Sequence, residues 1–437
     1  MLKAKNKLGL VFFPAFDWAI SPSHPEREER LLYTLDQVHE EGIADIEGIK
    51  FYNPLLADDK DIERVHFCVP DVPSVVTQSH RVSAGGAIAA ARAVLEGKVT
   101  KAFAVVRPPG HHAHRVVYGD RGFCIINIEA IMLEHIRSTF GPKRVAIVDT
   151  DCHHGDGTQD IYWNDKDTLF ISIHQDGRTL YPGTGFPDEM GGPGAFGYTV
   201  NIPLPPHTGE EGFLYVIENL VLPIIKDYNP DLIVNSAGQD NHYTDPITNM
   251  NFTAQGYARL TDRLNPDIAV LEGGYSIEGA LPYVNLGIIL ALAGLDYSHV
   301  KEPDYDPEKI KQPNWINDYI KRLCEELYQR WLRKDDAARK MFEGKDFVQR
   351  KKRIYYDTIG IMENQEEIIK VCKSCSGYIV IKSKCDLGYS ILAITIPRDA
   401  CPRCIDEAHK TYESADQGDY SGIYLQDRAN DEFNIKK

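Results

Sequence analysis

The sequence predicts an α/β fold in which helices cover both faces of a parallel β-sheet. Short, continuously apolar runs predict strands buried on both sides, and helical patterns lie between several of them. The predicted strands are LGLVFF (8–13), KAFAVV (101–106), RVAIVD (144–149), TLFISI (168–173), DLIVNS (231–236) and DIAVLE (267–272). The clearest predicted helices are AGGAIAAARAVLEG (84–97) and EEGFLYVIENLVLPIIKDY (210–228). This alternation of strands and helices is typical of a parallel sheet.

Composition excludes several classes of function. The 437 residues are 43% hydrophobic, enough for a sizeable core, and the net charge is 48 − 64 = −16. That charge argues against binding to a nucleic-acid backbone, since such proteins need a basic face. No apolar run approaches the length of a membrane span, so no membrane partner is expected. The N-terminus superficially resembles a signal peptide, but Pro14 and Asp17 interrupt its apolar part, which favours a first strand.

The chain is predicted to contain a large α/β domain followed by smaller units. Residues 301–313, KEPDYDPEKIKQP, are charged and proline-bearing, as linkers are, and the region from about 313 to 366 has apolar residues at helical spacing. Those apolar residues are Trp315, Tyr319, Leu323 and Leu327. The predicted division is an α/β domain over 1–300, a charged helical linker over 301–368, a zinc ribbon over 369–408 and a poorly ordered polar tail over 409–437.

Polar residues collect where five predicted strands end. The segments that follow the strands are RPPGHHAH (107–114), DTDCHHGD (149–156), His174, Gln239-Asp240 and the EGGY segment that ends at Tyr275. In a parallel α/β sheet, ligands bind at the carboxyl ends of the strands. One polar residue after a strand is often only a helix cap, but five such ends together predict a functional site.

The segment DTDCHH predicts a metal site. In an extended chain, Asp149, Asp151 and His153 share one face, where two carboxylates repel each other unless a cation neutralises them. Carboxylate oxygen and imidazole nitrogen suit zinc, and Asp240 is the natural candidate for a third ligand from another strand end. Three ligands leave a fourth position open for water, as in a catalytic site. The alternative is that the aspartates cap the following helix and that His153 and His154 are core histidines.

Two further segments carry groups that could assist such a metal. His111 and His112 follow a strand and Gly110, and a histidine can accept a proton from a zinc-bound water at neutral pH. The alternative is a surface loop with tandem histidines. Tyr275 follows paired glycines, and its hydroxyl could donate a hydrogen bond to a developing oxyanion, although an aromatic residue after a glycine turn more often packs.

A second metal site is predicted near the C-terminus. Four of the nine cysteines form two CxxC pairs, and segments that alternate like strands lie between the pairs. The four residues are Cys372, Cys375, Cys401 and Cys404. Two CxxC pairs predict a structural zinc ribbon in a reducing compartment, hence a cytoplasmic protein; a redox pair is the alternative. Gly377 fits the unusual backbone angle of a zinc knuckle, and Cys385 is expected to pack. We assign the ribbon to partner binding or self-association.

Six ordered motifs resemble the histone deacetylase family, which has the arginase–deacetylase fold. The motifs are RPPGHHA, GFCIIN, DTDCHHGDGT, SIHQ…YPGTG, SAGQD…DP and LEGGY. The resemblance covers residues 8–297, and LEGGY looks more like class II and bacterial members. The segment SHPEREER resembles the HPExPxR loop of the family, with Glu28 where proline is usual.

The resemblance implies a role for each matching residue. It implies a catalytic zinc, a catalytic histidine pair with two supporting carboxylates, a tyrosine that polarises the substrate carbonyl, and a nearby potassium ion. It also implies a narrow tunnel that grips an extended aliphatic amine. The implied zinc ligands are Asp151, His153 and Asp240, and the implied histidine pair is His111 and His112, supported by Asp149 and Asp156. Tyr275 is the implied tyrosine, and Asp149 and Ser172 are implied at the potassium ion. The implied tunnel residues are Phe123 and Tyr181, with their neighbours Gly122 and Gly183.

Departures from the family pattern bear on the choice of substrate. HRVVYGDR makes the separation between HHA and GFC longer than usual, which predicts a different pocket rim. His242 and Tyr243 could narrow the entrance or contact substrate. Ile247 stands where polyamine-selective relatives carry an acidic residue, which favours acyl-lysine substrates. The alternatives are an acetylpolyamine amidohydrolase, a catalytically silent binder of acylated ligands and, on the arginase side of the fold, a dimanganese ureohydrolase, although DTDCHH lacks the DxHxD pattern of that enzyme.

Overall fold

The structure is a computed structural model that describes residues 2–12, 19–21, 23–141, 143–303 and 305–437. Phe13, Pro14 and Asp17, which entered the prediction of the first strand, lie outside these residues. The strands are β1 (Lys3–Phe12), β2 (Glu47–Tyr52), β3 (Phe67–Cys68), β4 (Lys101–Val105), β5 (Val116–Val117), β6 (Val145–Asp149), β7 (Thr168–Gln175), β8 (Thr199–Leu204), β9 (Leu232–Ala237), β10 (Ile268–Leu271), β11 (Phe347–Tyr356), β12 (Ile361–Lys370), β13 (Ile379–Cys385), β14 (Ser390–Ile396), β15 (Gly422–Asp427) and β16 (Glu432–Lys436).

The helices connect these strands, and none of the described ones is long and apolar enough to cross a membrane. They are α1 (Glu29–Glu40), α2 (Asp59–Glu63), α3 (Val72–Val75), α4 (Gln78–Leu95), α5 (Ile128–Phe140), α6 (Asp156–Tyr162), α7 (Glu210–Val216), α8 (Leu222–Tyr228), α9 (Ala254–Leu264), α10 (Leu281–Leu292), α11 (Asn314–Leu332), α12 (Lys334–Phe342) and α13 (Pro402–Ser414). The helix predicted over 210–228 is α7 and α8 joined by a π-helical turn, Ile217–Val221. Pro223, which has no N–H to donate, lies just beyond this turn.

An eight-stranded parallel sheet forms the main domain, in the order β2-β1-β4-β10-β9-β6-β7-β8. All six predicted strands belong to it, which confirms the predicted fold class. The sequence analysis missed β2 and β8, which are the two edge strands. β2 has only one buried residue, Ile49, so the continuous apolar run that identifies a central strand is absent from it.

Two hydrophobic cores cover the two faces of this sheet. Alternate residues of one strand enter different cores, as the period of two of a strand requires. In β6, Val148 packs with residues of α1, α9 and α10, whereas Ile147 packs with residues of α4 and α5. Helices therefore lie on both faces, and the carboxyl ends of the strands remain free to carry polar groups.

The C-terminal region is a second sheet, and the helical prediction for residues 347–366 is wrong. The helical stretch ends with α12, and β11 to β16 form a six-stranded sheet in sequence order, with α13 between β14 and β15, the one pair of neighbouring strands in this sheet that is parallel. Charged residues suggested an exposed helix, but they pair across strands instead. Arg350 of β11 lies opposite Glu367 of β12 and forms an ion pair with it. Such cross-strand pairs stabilise a sheet.

Two smaller predictions for this region also need correction. The tail over 409–437 contains the end of α13 together with β15 and β16, and Ile423 and Leu425 are buried, so it is not a poorly ordered segment. In α11 the buried stripe contains Leu323 and Leu327 as predicted, but Trp315 is 58% exposed and its neighbour Ile316 is buried instead.

The second sheet packs against the main domain. Ile381 and Ile369 share a hydrophobic cluster with Val116 and Tyr118 of the main domain. The Tyr118 hydroxyl lies 2.8 Å from the Ser383 hydroxyl. Residues 114–121, which lengthen the separation between HHA and GFC, therefore include a docking site for the C-terminal sheet.

Candidate active site

The five polar strand ends meet at one edge of the parallel sheet. Their strands, β4, β10, β9, β6 and β7, are consecutive neighbours in the strand order. Because all of them run in the same direction, the residues that follow each strand converge.

Asp151, His153 and Asp240 form a compact, buried group. One ligand atom of each lies within 4.8 Å of the others, and His153 Nδ1 lies 2.8 Å from Asp240 Oδ2. Backbone N–H groups orient the carboxylates: Gly273 donates to Asp151 Oδ2 and Cys152 donates to Asp240 Oδ1. One imidazole nitrogen and two carboxylates are a donor set that suits zinc.

The charges in this group favour a cation. Although burial opposes a charge on the imidazole, the Asp151 and Asp240 carboxylates raise the pKa of His153 to about 10. The alternative role as helix caps is not supported for Asp149 and Asp151. Helix α6 begins after Gly155, and no side chain caps it. The residues present therefore fit a divalent metal.

Two histidines beside the group each donate a hydrogen bond to a carboxylate. His111 Nδ1 lies 3.1 Å from Asp149, and His112 Nδ1 lies 2.8 Å from Asp156. Burial and the neighbouring His111 lower the pKa of His112 well below its usual value. The pKa of His111 moves the other way, to about 10, because the attraction of Asp151 and Asp149 exceeds the cost of burial. His112 is therefore neutral at pH 7 and able to accept a proton at Nε2.

Asp156 has two further partners that the sequence analysis missed. His114 Nε2 lies 3.1 Å from Oδ2 of Asp156, and the guanidinium of Arg121 binds both oxygens of the carboxylate. These contacts fix the carboxylate that holds His112. The HHAH pattern was a signal for His114, but nothing in GDRGF distinguishes Arg121 from a surface arginine.

Tyr275 is 7% exposed, and the negative charges of Asp151 and Asp240 act on its phenol. Its backbone N–H donates to Asp245, and the Arg30 guanidinium lies 5.0 Å from the centre of its ring. Burial raises the pKa of the Tyr275 phenol well above its usual value, so the hydroxyl keeps its proton and remains a donor.

Arg30 belongs to a buried ionic group that explains the SHPEREER motif. Glu26 accepts hydrogen bonds from Arg30 and Arg107, and all three side chains are fully buried. Arg30 also donates to the carbonyl oxygens of Glu272 and Gly274, which precede Tyr275. The motif was noted in the sequence, but its function of holding this loop needed the structure.

Two aromatic rings lie beside the site. The Tyr181 ring lies 5.1 Å from the His112 ring, and the Phe123 ring lies 5.5 Å from the Tyr275 ring. Gly122 has a φ of +54°, and a Cβ there would lie 2.5 Å from a His112 ring carbon. A larger residue would therefore displace His112. The structure brings Gly122, Phe123 and Tyr181 together as predicted.

Three other predicted residues lie in different settings. Ser172 pairs with Asp149 across β6 and β7, and its hydroxyl lies 2.9 Å from His174. Ile247 is partly exposed, on the segment after Asp245. His242 is buried, and its ring nitrogens lie against Thr244 and Glu302, so the structure gives it a packing contact and does not support a contact with substrate.

The four predicted cysteine ligands also lie together. Cys372, Cys375, Cys401 and Cys404 place their sulfur atoms within 4.8 Å of one another, between the β12–β13 connection and the start of α13. Gly377 has a φ of +74°, and its N–H donates to the Cys375 sulfur. Thiolate groups in a tetrahedral set of four fit structural zinc. Cys385 is partly buried and packs against the hydrophobic cluster between the two sheets, as expected.

The parallel sheet and the buried Asp-His-Asp group at its carboxyl edge place the protein among the metal-dependent hydrolases. Comparison with known proteins makes the class more specific. Residues 70–285 match the histone deacetylase domain.

A probable deacetylase from Archaeoglobus fulgidus is 48% identical over 318 residues, which cover 66% of this chain and 87% of the relative. A histone deacetylase-like amidohydrolase from Pseudomonas aeruginosa is 35% identical over 257 residues, which cover 56% of this chain and 66% of the relative. The crystal structure of the HDA15 HD domain is 26% identical, with a TM-score of 0.64, and the match covers 78% of this chain and all (100%) of that one. The chain belongs to the histone deacetylase family, and it is a hydrolase of the deacetylase class.

The two ligand groups predict the metal content. The purified protein is expected to contain two zinc ions per chain, one for each group. His153→Ala and Cys404→Ala are each expected to lose one ion, because each removes a ligand from a different group. Cys385→Ala is the matched control and should keep both. Elemental analysis of the dialysed proteins measures this, and two manganese ions in the wild type would contradict the assignment.

Proposed function

We propose that the protein uses zinc to remove acetyl or related acyl groups from lysine side chains or similar amines. The observation that carries the proposal is the buried group of Asp151, His153 and Asp240, with the neutral His112 ring 6.0 Å from the His153 ring. The protonated Tyr275 phenol is close enough to Asp151 and Asp240 for their charges to raise its pKa. A proton acceptor and a hydrogen-bond donor beside one metal group are what amide hydrolysis needs.

Asp151, His153 and Asp240 would hold the catalytic zinc. When bound, the ion would lower the pKa of a water molecule and polarise the amide carbonyl. His112 accepts a proton at Nε2 from the attacking water, while Asp156 holds Nδ1 and fixes the ring orientation. His112 then returns the proton to the leaving amine. The Tyr275 hydroxyl donates to the oxygen that becomes negatively charged.

The aromatic walls support an extended aliphatic substrate. Phe123 and Tyr181 present ring surfaces that would bind the methylene groups of an acylated lysine. Ile247 is apolar and gives a distal ammonium group no counter-charge, which favours acyl-lysine over acetylpolyamine substrates. A second candidate remains, because an acetylpolyamine amidohydrolase from Burkholderia pseudomallei is 40% identical over 201 residues, 45% of this chain and 57% of the relative.

Several finer assignments belong to the same proposal. Asp149 and Ser172 lie side by side in adjacent strands, where a potassium ion would bind. The nine cysteines are all free thiols, which fits a reducing, cytoplasmic environment. The predicted cysteine unit at 369–408 would bind a partner protein or a second copy of the chain through its surface. Part of that surface contacts the main domain, where Asn164 donates to the Ser376 carbonyl oxygen.

A panel of substrates tests the preference. Acetyl-lysine peptides are expected to give a higher kcat/KM than acetylpolyamines, because a cationic polyamine finds no acidic group at Ile247. Longer acyl-lysines in the same panel define the acyl length. A higher kcat/KM for the acetylpolyamines would reverse the assignment, and Ile247→Glu should move the preference toward them.

The role of Tyr275 is tested by removing its hydroxyl. Tyr275→Phe is expected to lower kcat by about 10²–10³, the loss typical of one oxyanion donor. Tyr297→Phe is the matched control, since its hydroxyl binds Asp262 at the surface. Turnover of Tyr275→Phe equal to that of the control would refute the role.

The pH profile tests His112 as the base. A base must be neutral to act, and a lowered pKa keeps His112 neutral further into the acid range. The acid limb of kcat/KM is therefore expected below pH 6.5, the ordinary value for histidine, with activity lost as the pH falls through the limb. Asp156→Asn should move the limb further down, because the Asp156 carboxylate raises the pKa of His112. A limb above pH 6.5 would exclude His112.

A further inference from the structure

The tight turn over residues 121–124 forms one wall of the approach to the active site. Arg121 and Cys124 exchange two backbone hydrogen bonds, each 2.9 Å long, so Gly122 and Phe123 are the two corner residues. Their φ angles are +54° and +68°. A turn of this kind requires two residues in the left-handed region, which glycine adopts easily and phenylalanine does not.

Phe123 therefore needs outside support to keep its conformation. A bulky residue with positive φ is uncommon and persists only where surrounding contacts hold it. In the main domain, the Phe123 ring lies 4.4 Å from the His24 ring and 5.5 Å from the Tyr275 ring, and Asp156 binds the guanidinium of Arg121 at the start of the turn. A further contact comes from the C-terminal sheet.

That contact is made by Asp357, the first residue after β11. The four-residue turn 357–360 joins β11 to β12 and lies over the turn 121–124. Asp357 Oδ1 accepts a hydrogen bond from the Gly122 N–H at 2.9 Å. The same oxygen accepts one from the Tyr181 hydroxyl at 3.1 Å. One carboxylate oxygen thus connects the turn that carries Phe123 to Tyr181. These two aromatic residues are 58 positions apart in the sequence (181 − 123).

Neighbouring contacts hold the turn 357–360 in place. The Thr358 hydroxyl donates to Asp120, and the Tyr356 hydroxyl donates to the Val116 carbonyl oxygen. Ile359 lies against Gly119, where a Cβ would come within 2.3 Å of it. The position of Asp357 is therefore set by the C-terminal sheet and by the long HHA–GFC connection together.

We propose that Asp357 is a positioning residue of the active site, and that the C-terminal sheet completes the substrate tunnel by joining Gly122 to Tyr181 through this carboxylate. Asp357 acts by positioning Phe123 and Tyr181, and it does not contact the reacting atoms. The inference rests on the proposed function, since its readout is hydrolysis of an acylated amine.

Two substitutions separate hydrogen bonding from charge. Asp357→Ala removes the acceptor, so we expect kcat/KM to fall about five- to tenfold, as for the loss of one or two hydrogen bonds. Asp357→Asn keeps an oxygen that can accept both bonds, so we expect it to stay within about twofold of the wild type. Both effects should be equal for a neutral acetylated alkylamine and for an acetylated diamine that carries a positive charge.

Asp416→Ala is the matched control. Asp416 is also an exposed aspartate of the C-terminal unit that accepts a backbone N–H, from Gly418, and this hydrogen bond lies wholly within the C-terminal unit. Its kcat/KM should equal that of the wild type. The thermal midpoints of all variants are measured alongside, so that any loss of stability in Asp357→Ala is separated from its loss of activity.

A double-mutant cycle tests the route through Tyr181. Tyr181→Phe removes only the hydroxyl that donates to Asp357, so its effect and that of Asp357→Ala should be less than additive when combined. This cycle still tests the proposal if Asp357→Ala alone lowers stability, because Tyr181→Phe breaks the same contact from the other side.

The outcomes are distinct. A wild-type protein without amide hydrolase activity would overturn the proposed function, whatever the variants do. With an active wild type, three results would overturn the role of Asp357: unchanged kcat/KM in Asp357→Ala, an equal loss in Asp357→Asn, or a loss confined to the positively charged substrate. The second would show that the charge of Asp357, and not its two hydrogen bonds, sets the activity, and the third would make Asp357 a charged contact of the substrate.

Discussion

The active-site edge of the sheet depends on the burial of several carboxylates within a few ångströms of one another. A buried carboxylate is costly unless hydrogen bonds or positive charges surround it. Asp151 and Asp240 each accept a backbone N–H, from Gly273 and Cys152, and both lie against the His153 imidazole. These partners orient the oxygens but leave a negative group, and a divalent cation is the partner that would neutralise it.

The same constraint organises the residues around the metal ligands. Glu26 is placed between two arginines, Arg30 and Arg107, and the first of these holds the loop before Tyr275. Asp156 has Arg121 as its positively charged partner and in turn fixes His112. His112 and Tyr275 are therefore each held in place by a buried ionic pair. Such a pair is rigid because breaking it would leave a buried charge without a partner.

Ionic pairing also joins the two sheets. Asp160, one turn after Asp156 on α6, is fully buried and bonds Arg350 and Lys352 of β11, which also pair with Glu367 of β12. The helix that carries Asp156 thus packs on the C-terminal sheet at one point, and the turn 357–360 packs on the tunnel wall at another. The cysteine unit lies at the opposite end of β12 from that turn, so the zinc group and the tunnel contact belong to one continuous sheet.

The sequence by itself determined the six central strands, the fold class and the residues of the two groups that could each hold a metal ion. These features are local: apolar runs mark buried strands, and the polar residues follow them directly in the chain. Sequence did not reveal the edge strands β2 and β8, and of the C-terminal sheet it indicated only the segments of β13 and β14. β2 and β11 are partly exposed, and the charged residues of β11 resemble those of a surface helix.

Tertiary structure decided which residues surround the site. His242 follows Asp240 in sequence, yet its ring points to Glu302, whereas Asp357 is more than two hundred residues from Gly122 (357 − 122 = 235) and lies in direct contact with it. Spacing along the chain cannot predict such a contact, since it depends on how β11 and β12 dock on the main domain. Short sequence motifs therefore supply the reactive residues of the site, whereas the association of the two sheets sets the shape of its walls.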